Sequence, residues 1–295
     1  MKFGAIDIGT NAARLLIGEV EEQEKDHFVK KISYIRVPLR LGIDVFDKGK
    51  ISSEKEEEFI KSIKAFKLIS EVFNVTELRA CATSAMREAD NGKEIKKRIK
   101  KETGVEVEII EGSEEAKLIL STFFLLDFDS KTPFVVIDVG GGSTEISIFK
   151  KGERVAAKSF PIGTLRILKD KVKSSYWKEL YQWIDDKFKK NTKYMVFGTG
   201  GNINKIHKVL GKKNTEPISS KEFKELYQKM SKLSVKQRVS QFKLKPDRAD
   251  VIVPAFEIYW SIIKQINLDK IYVPKIGLSD GMIYNLHKKH KRTKH

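Results

Sequence analysis

The chain of 295 residues contains a single cysteine, Cys81, and this scarcity excludes an internal disulfide. Cys81 lies in the apolar stretch 78–82, which predicts a small core residue, and none of the five histidines stands in a recognisable cysteine-enzyme motif. Those histidines also lack the spacing, to cysteine or to one another, that metal ligands show. The sequence therefore predicts neither thiol catalysis nor a zinc site.

Long hydrophobic runs are absent as well. No apolar segment approaches the roughly 18 residues that a membrane helix requires. The chain enters a strand-like segment at residues 2–8, which leaves no room for a signal peptide. We therefore expect a cytoplasmic protein with no membrane partner.

Charge is distributed unevenly along the chain. Residues 151–295 carry 33 Lys and Arg against 13 Asp and Glu, a net charge of +20, whereas residues 1–150 carry 24 against 27, a net charge of −3. One interpretation of the basic half is a polyanionic partner, such as nucleic acid, a membrane surface or polyphosphate. The other is a lysine-rich solvated surface, and charge alone does not separate the two.

One pattern occurs twice: an apolar run, an aspartate, an apolar residue, glycine and a small hydroxyl residue. The copies are AIDIGT from residue 5 and VIDVGGGST from residue 136. Each is followed by two further strand-like segments and then by alternating helical and strand-like segments. The first three strands meander as hairpins, and the later ones require helical crossovers. This order predicts an α/β fold of two duplicated domains, each a mixed five-stranded sheet flanked by helices.

The polar, proline-containing segment 127–133 interrupts the pattern and predicts the domain boundary. We therefore divide the chain into an N-terminal domain of residues 1–126 and a basic C-terminal domain of residues 127–295. A cleft between the two domains is the expected ligand site.

The strongest motif is the octapeptide DVGGGSTE, residues 138–145, which begins at the end of a hydrophobic strand. Its three glycines allow backbone N–H groups to approach an anion without an intervening Cβ, and Ser143 and Thr144 add hydroxyl donors. Asp138 and Glu145 supply two carboxylates beside this loop, a set that suits Mg²⁺. The alternative interpretation is a hairpin turn whose glycines serve only its tight geometry.

Two further glycine-containing loops predict anion contacts. The segment DIGTNAAR, residues 7–14, is a weak turn motif when taken alone, and its similarity to the DVGGGSTE segment strengthens the prediction of an anion-binding loop. Arg14 in this segment either reaches a phosphate or faces solvent. The segment GTGGN, residues 198–202, follows a strand and opens a helix, where N–H groups can meet an anion. It is also compatible with a plain tight junction, and it is neither a Walker A loop nor a dinucleotide fingerprint.

Glu115 and Arg87 are further candidates. Glu115 stands in EGSEEA, residues 111–116, at the start of a helix, where acidic residues offset the helix dipole. That account is sufficient for Glu114 and could explain Glu115, whose functional interpretation is a base that orients and deprotonates water. Arg87 follows a strand end, where it either clamps a phosphate or lies in solvent at a helix start.

Taken together, these segments resemble a known family. The exopolyphosphatase/guanosine pentaphosphate phosphohydrolase family has similar segments in the same order, from Phe3 to about Leu286: AIDIGTNAARLLI, ATSAMREA, EIIEGSEEAKL, VVIDVGGGSTEISIF, PIGTLRI, VFGTGGNINKI, RADVIVPAFEI and KIGLSDGMI. The resemblance implies two duplicated ribonuclease H-like domains of the actin-like superfamily. Longer members append helical domains that help to bind long polyphosphate, and this chain resembles the short two-domain form.

The resemblance also implies residue roles. Glu115 matches the catalytic base that activates the attacking water. Asp138 and Glu145 match carboxylates of the metal and phosphate site, and Asp7 matches another carboxylate near the metal, which is Mg²⁺ or, alternatively, Mn²⁺. The expected phosphate-binding set comprises the three loops and two arginines: Gly9, Thr10, Asn11, Arg14, Arg87, Gly140, Gly141, Gly142, Ser143, Thr144, Gly198, Thr199, Gly200 and Gly201.

The implied activity is hydrolysis of the terminal phosphoanhydride of inorganic polyphosphate, which releases orthophosphate, with guanosine pentaphosphate as an alternative substrate. A homodimer is the assembly that the family suggests. Two departures from relatives stand out. Ala12 replaces a frequent serine, and the pair Ser279 and Asp280 replaces arginine and glutamate, for which helix capping is the alternative explanation.

Three other classes of protein remain as alternatives: a nucleotide or guanosine tetraphosphate sensor with little turnover, a phosphotransferase of the same fold, and a nucleic-acid binder. Glu115, Asp138 and Glu145 argue against a pure sensor, because a sensor needs no base. A phosphotransferase needs an acceptor pocket, for which the sequence gives no evidence, and an adenosine site, for which it offers only the ambiguous GTGGN loop. No recognised nucleic-acid motif accompanies the positive charge, so we expect no specific nucleic-acid partner.

Overall fold

The chain forms two compact units in the computed structural model. The first comprises Met1–Phe128 and Ile276–His295, and the second comprises Asp129–Lys275. The predicted boundary segment, 127–133, lies mostly outside the described residues. The structure describes residues 1–23, 26–123, 132–189, 192–214 and 216–292, with the backbone alone at 22, 23 and 26–28.

The first unit is built on a mixed five-stranded sheet. Its strands are β1 (Phe3–Ile8), β2 (Ala13–Gln23), β3 (Asp26–Val37), β4 (Glu77–Ala82) and β5 (Val107–Ile109). The sheet order is β3-β2-β1-β4-β5, with β1 antiparallel to β2 and parallel to β4. Every residue of β1 is buried, as an apolar strand at the centre of a covered sheet requires. This is the predicted meander followed by crossovers, which the helices of the unit supply: α1 (Leu41–Lys48), α2 (Ser53–Val72), α3 (Ser84–Glu88), α4 (Gly92–Thr103) and α5 (Gly112–Leu120).

The second unit repeats this topology with one difference. Its main strands are β6 (Phe134–Val139), β7 (Thr144–Lys150), β8 (Glu153–Phe160) and β9 (Met195–Thr199), in the order β8-β7-β6-β9. A fifth strand is predicted, but within the described residues its place holds only a single parallel bridge from Phe197 to Tyr272. Two short strands, β10 (Ile218–Ser219) and β11 (Lys270–Ile271), pair with each other instead. Pro274, which has no N–H to donate, follows Val273 and ends the ladder there.

A long apolar helix supports the sheet of the second unit from one side. The helices of this unit are α6 (Thr164–Leu168), α7 (Ser174–Lys187), α8 (Gly201–Val209), α9 (Ser220–Ser231), α10 (Val235–Phe242), α11 (Pro246–Ala249) and α12 (Ile252–Ile266). Tyr259 of α12 is completely buried, and its hydroxyl donates to the carbonyl oxygens of Thr199 at 2.7 Å and Ile137 at 3.2 Å. Burial raises the pKa of Tyr259 well above its ordinary value, so this hydroxyl stays a donor that ties α12 to β6 and β9.

The C-terminal helix, α13 (Leu278–Arg292), belongs to the first unit, although the predicted division places it in the second. It packs against β1, β2 and α5, and it buries Met282, Ile283 and Leu286. The packing against α5 is backbone to backbone, because a Cβ placed on Gly281 would lie 1.9 Å from the carbonyl oxygen of Leu118. A glycine at this position therefore sets how closely the two helices approach.

Asp280 is buried in this first turn of α13 beside Lys31. Its Oδ1 lies 2.9 Å from the Lys31 ammonium, and its Oδ2 accepts a hydrogen bond from the N–H of Gly277 at 3.0 Å. The helix-capping interpretation of Asp280 thus matches the observed contact. Burial raises the pKa of Asp280 above its ordinary value of 3.8, although Lys31 opposes the rise.

The raised pKa of Asp280 predicts a specific pH dependence of stability. The folded protein binds this proton more tightly than the unfolded chain, so the contribution grows as pH falls through the folded-state pKa and is complete below 3.8. In denaturant unfolding between about pH 7 and about pH 4, the stability of the wild type relative to Asp280→Asn should increase towards acid. A flat or reversed difference would contradict the assignment.

One expectation about burial is confirmed within the described residues. Cys81 on β4 is completely buried, and burial raises the pKa of its thiol to about 12, which confirms a core role. None of the described helices has the length and apolar content needed to cross a membrane.

Candidate active site

The DVGGGSTE loop joins β6 to β7 and is held from one side by α6. The N–H of Gly140 donates to the carbonyl oxygen of Ser143 at 2.9 Å, which closes the turn. The three glycine carbonyl oxygens then accept hydrogen bonds from the first turn of α6: Thr164 N to Gly140 O at 3.1 Å, Leu165 N to Gly141 O at 2.9 Å, and Arg166 Nε to Gly142 O at 2.6 Å.

This arrangement orients the N–H groups of the loop. In a trans peptide the carbonyl and the following N–H point in opposite directions, and the structure contains no cis peptide among the described residues. Because the three glycine carbonyls point towards α6, the N–H groups of Gly141, Gly142 and Ser143 point away from it. Three successive N–H groups on one side of a turn form an anion-binding concavity.

Gly163 makes the close approach of α6 possible. A Cβ at this position would lie 2.4 Å from Gly141 O and from the carbonyl carbon of Gly142, so any larger residue must displace the loop. Gly163 is therefore required by the shape of the site, and it is not among the site residues predicted from the sequence. Its signal was present in the segment PIGTLRI, one of the family-like segments.

The two carboxylates of the octapeptide lie opposite each other at the base of the loop. Asp138 on β6 is in register with Glu145 on β7, so their side chains share one face of the sheet. Hydroxyl groups orient both carboxylates. Thr199 Oγ1 donates to Asp138 Oδ1 at 2.6 Å, and Glu145 Oε1 accepts from Ser143 Oγ at 2.6 Å and Ser159 Oγ at 2.8 Å.

This donor set is compatible with a magnesium site. Mg²⁺ prefers one or two carboxylates together with water and phosphate oxygens, and outer hydroxyl groups commonly orient such ligands. Asp138 and Glu145 meet both conditions. The part of the chain that the structure describes contains no group of three or more His, Cys, Asp or Glu side chains arranged to hold a metal.

The GTGGN loop, residues 198–202, lies directly beside Asp138. Gly200 has a φ of 97°, and a Cβ on it would lie 3.0 Å from Asp138 Oδ1, so glycine is needed both for the backbone and for the contact. Arg248 of α11 packs on the next residue: its Nη1 donates to Asn202 Oδ1 at 3.0 Å and would lie 2.7 Å from a Cβ on Gly201. Arg248 is a second residue that sequence reasoning missed, although RADVIVPAFEI contains it.

Several of the predicted phosphate ligands use donor groups on structural partners, and Thr144 and Gly198 are two examples. Thr144 Oγ1 is buried and donates to the carbonyl oxygen of Ile162 at 2.6 Å. The N–H of Gly198 donates to the carbonyl oxygen of Tyr272 at 2.8 Å, within the sheet. In this geometry neither group is directed at a ligand, and both residues shape the site.

The first unit holds the other predicted loop. Asp7, near the end of β1, is in register with Arg14 on β2, and the two side chains form an ion pair of 2.6 Å. The predicted metal carboxylate and the predicted phosphate arginine are thus partners of each other. The turn between them is closed by the Gly9 N–H, which donates to Ala12 O at 3.0 Å.

The segment at the start of α1, residues 40–42, braces this turn. Backbone N–H groups of that segment donate to the carbonyl oxygens of the remaining two predicted residues of the loop: Gly42 N to Thr10 O at 3.0 Å and Arg40 N to Asn11 O at 3.1 Å. The carbonyl oxygens of Thr10 and Asn11 point towards α1, so the N–H groups of the residues that follow them point away from α1, as in the loop of the second unit.

Glu115 lies in the first turn of α5, where it is half-buried. Its N–H donates to the carbonyl oxygen of Glu111 at 3.0 Å, which places it on the first hydrogen-bonded turn of the helix. Arg87 of α3 is fixed just before this turn: its Nη1 donates to Ile110 O at 2.7 Å, and its Nε lies 3.6 Å from a carboxylate oxygen of Glu111. Arg87 therefore also positions the start of the helix that carries Glu115.

Two mixed sheets of the same order, each with a glycine-containing turn between an aspartate-bearing strand and the next, define a duplicated α/β protein of ribonuclease H-like topology. Solved structures share this fold across the whole chain. An exopolyphosphatase from Cytophaga hutchinsonii superposes with a TM-score of 0.83 at 23% identity, and a Ppx/GppA family member from Aquifex aeolicus with 0.77 at 24%, each match covering 98% of both chains. The chain belongs to the Ppx/GppA phosphatase family, whose model matches residues 20–290.

The names of similar proteins are consistent with membership of this family. Exopolyphosphatase 1 of Mycobacterium tuberculosis is 32% identical over 170 residues, which are 58% of this chain and 48% of the relative. The bifunctional 3-dehydroquinate synthase/phosphatase of Fusobacterium nucleatum is 29% identical over 299 aligned positions, which cover 91% of this chain and 44% of the relative. The chain thus spans about half the length of the curated relatives it matches.

Proposed function

We propose that this chain hydrolyses the terminal phosphoanhydride of inorganic polyphosphate and releases orthophosphate. The observation that carries the proposal is the DVGGGSTE loop, whose three N–H groups are directed to one side because α6 occupies the carbonyls. Such a cradle suits an anion with several oxygen atoms, and the carboxylates of Asp138 and Glu145 beside it suit a divalent cation, which together form a site for a phosphoryl group rather than for a carboxylate.

The choice of polyphosphate within this class has two supports. Relatives of the chain carry the name exopolyphosphatase. The basic half of the sequence, with a net charge of +20 over residues 151–295, is suited to a polyanion. The family that the sequence segments resemble also includes guanosine pentaphosphate phosphohydrolases, so the 5′-phosphate of guanosine pentaphosphate is the second candidate substrate, attacked by the same chemistry.

The proposed reaction assigns a separate task to each group. The N–H groups of Gly141, Gly142 and Ser143 bind the terminal phosphoryl oxygens and stabilise the negative charge that develops on them. Glu115 accepts a proton from water as the water oxygen bonds to phosphorus. The bond from phosphorus to the bridging oxygen breaks, its electron pair leaves on the shortened chain, and orthophosphate is released.

We further propose that Asp138 and Glu145 hold Mg²⁺, or Mn²⁺ in its place. A bound divalent cation would supply positive charge to the non-bridging phosphate oxygens. The hydroxyl groups of Thr199, Ser143 and Ser159 fix the orientation of the two carboxylates for this task. The family resemblance makes Asp7 a further candidate metal carboxylate, and in the structure its side chain is paired with Arg14.

The proposal is tested by measuring phosphate release from long-chain polyphosphate, tripolyphosphate, guanosine pentaphosphate and ATP, with Mg²⁺, with Mn²⁺ and with EDTA. We expect turnover of polyphosphate that exceeds that of ATP and disappears with EDTA. Turnover of guanosine pentaphosphate alone would reassign the substrate within the same reaction. Tight binding of these anions without release of phosphate would contradict hydrolysis and favour a sensor.

A further inference from the structure

A group of three cationic side chains borders the GTGGN loop of the second unit, and we call it the α8 cluster: Lys205, Lys208 and Arg248. Lys205 and Lys208 are three residues apart on α8, so they share one face of the helix. Arg248 lies at the start of α8, against Gly201, through its hydrogen bond to Asn202. The cluster therefore follows α8 away from the loop.

The charges of the two lysines are not compensated. Among the described residues, neither Lys205 nor Lys208 forms an ion pair with a carboxylate. Burial lowers the pKa of Lys205, and the nearby positive charges of Lys208 and Arg248 lower it further. Like charges held together in this way raise the free energy of the protein, and a bound anion would remove that repulsion.

The α8 cluster is continuous with the phosphate cradle inside the same unit. Gly200 packs against Asp138, so the GTGGN loop adjoins the DVGGGSTE loop. From Gly201 to Lys208 the helix rises about 10 Å, at about 1.5 Å per residue. A row of cations of this length exceeds what one phosphate can occupy, and it leads away from the loop that would hold the terminal phosphate.

We propose that the α8 cluster is a second anion subsite, which holds the phosphoryl groups of a linear polyphosphate that precede the terminal one. This inference rests on the proposed hydrolase function. A linear polyphosphate carries negative charge along its length, as the row of cations requires, whereas a nucleotide concentrates its charge in one place. Lysine ammonium groups are flexible point charges, which suits a chain without fixed geometry better than a planar, bidentate partner.

The test compares binding of long-chain polyphosphate and tripolyphosphate by calorimetry, in a Glu115→Gln background that limits turnover. The variant carries Lys205→Gln and Lys208→Gln, and it retains Arg248 because that side chain positions Asn202. We expect affinity for the long chain to fall at least ~10-fold, with a weaker salt dependence, and affinity for tripolyphosphate to change less than ~3-fold. The matched control, Lys221→Gln with Lys224→Gln, removes two exposed lysines at the same spacing on α9 and should change neither affinity.

Three outcomes overturn the inference: an unchanged affinity for the long chain, equal losses for both ligands, or a larger loss for ATP or guanosine pentaphosphate, which would assign the cluster to a nucleotide. Failure of the proposed function is a different result. If the wild type releases no phosphate while the double variant still loses long-chain binding selectively, the hydrolase proposal is wrong and the subsite stands. If the wild type hydrolyses polyphosphate without this selectivity, only the subsite is wrong.

Discussion

Replacing Glu115 with glutamine should lower kcat for phosphate release at least about 100-fold, because glutamine keeps the size of the side chain and removes its basicity. Glu115 stands on the first turn of α5, whose start is held by Arg87 through Ile110 O and the Glu111 carboxylate. The proposed base therefore stands at a helix start that Arg87 supports, and the exchange should leave the fold intact. KM should change far less than kcat, since an interaction used only in the transition state is removed.

The neighbouring residue provides a matched control. Glu114 is also acidic and also in the first turn of α5, but its side chain pairs with Lys117 on the helix surface at 3.4 Å. Glu114→Gln removes the same charge near the same helix dipole and should retain activity within about threefold. Because a general base must be ionised to accept a proton from water, wild-type kcat should also fall towards acid, and Glu115→Gln should lack this acid limb. Equal losses in the two variants would show that helix charge, and not a base, explains the effect.

Gly281→Ala should destabilise the first unit by about 3 kcal/mol, at the upper end of the usual cost of overpacking. The added methyl group would overlap the Leu118 carbonyl oxygen, 1.9 Å away, and the carbonyl carbon, 2.4 Å away. Backbone atoms cannot rotate aside as a flexible side chain would, so α13 must separate from α5. Glu115 lies three residues before Leu118, and we therefore expect kcat to fall along with stability.

Gly277→Ala is the control for this prediction. It makes the same chemical change four residues earlier in the sequence, and a Cβ there would meet nothing within 4 Å. Denaturant unfolding and hydrogen exchange of the α5 amides should separate the two variants, with faster exchange in Gly281→Ala alone. If both variants match the wild type, the backbone contact between α13 and α5 carries no stability.

The duplicated sheets were predictable because their signal is local. A buried central strand followed by a glycine-containing turn produces the same letters twice, AIDIGT and VIDVGGGST, and the strands that follow pair with their sequence neighbours. The place of α13 was not predictable in this way. Its apolar residues show that it packs, but only the tertiary fold decides that it packs on β1 and β2, more than 200 positions away.

The candidate site was predictable as a set of residue types and less so as a set of contacts. The acidic residues and the glycine loops are where the motifs place them, because strand register brings Asp138 opposite Glu145. Hydrogen-bond partners that lie far away in the sequence could not be predicted from the local motifs. Thr144 donates to the carbonyl oxygen of Ile162, and Arg87 donates to that of Ile110 just before α5. In both cases a donor that the motif predicts for a ligand binds a backbone carbonyl instead.

The position of α13 also bears on the order in which the chain can fold during translation. β1 is synthesised before the second unit, but the helix that packs against it follows the whole second unit in the sequence. Domains usually fold in the order of their synthesis. Here residues 129–275 are complete while the first unit still lacks its last layer, so the unit that begins first can finish packing only after the second. A nascent chain that stalls before residue 276 would expose the apolar face of β1 and β2 that α13 otherwise covers, and we therefore expect such a product to bind chaperones.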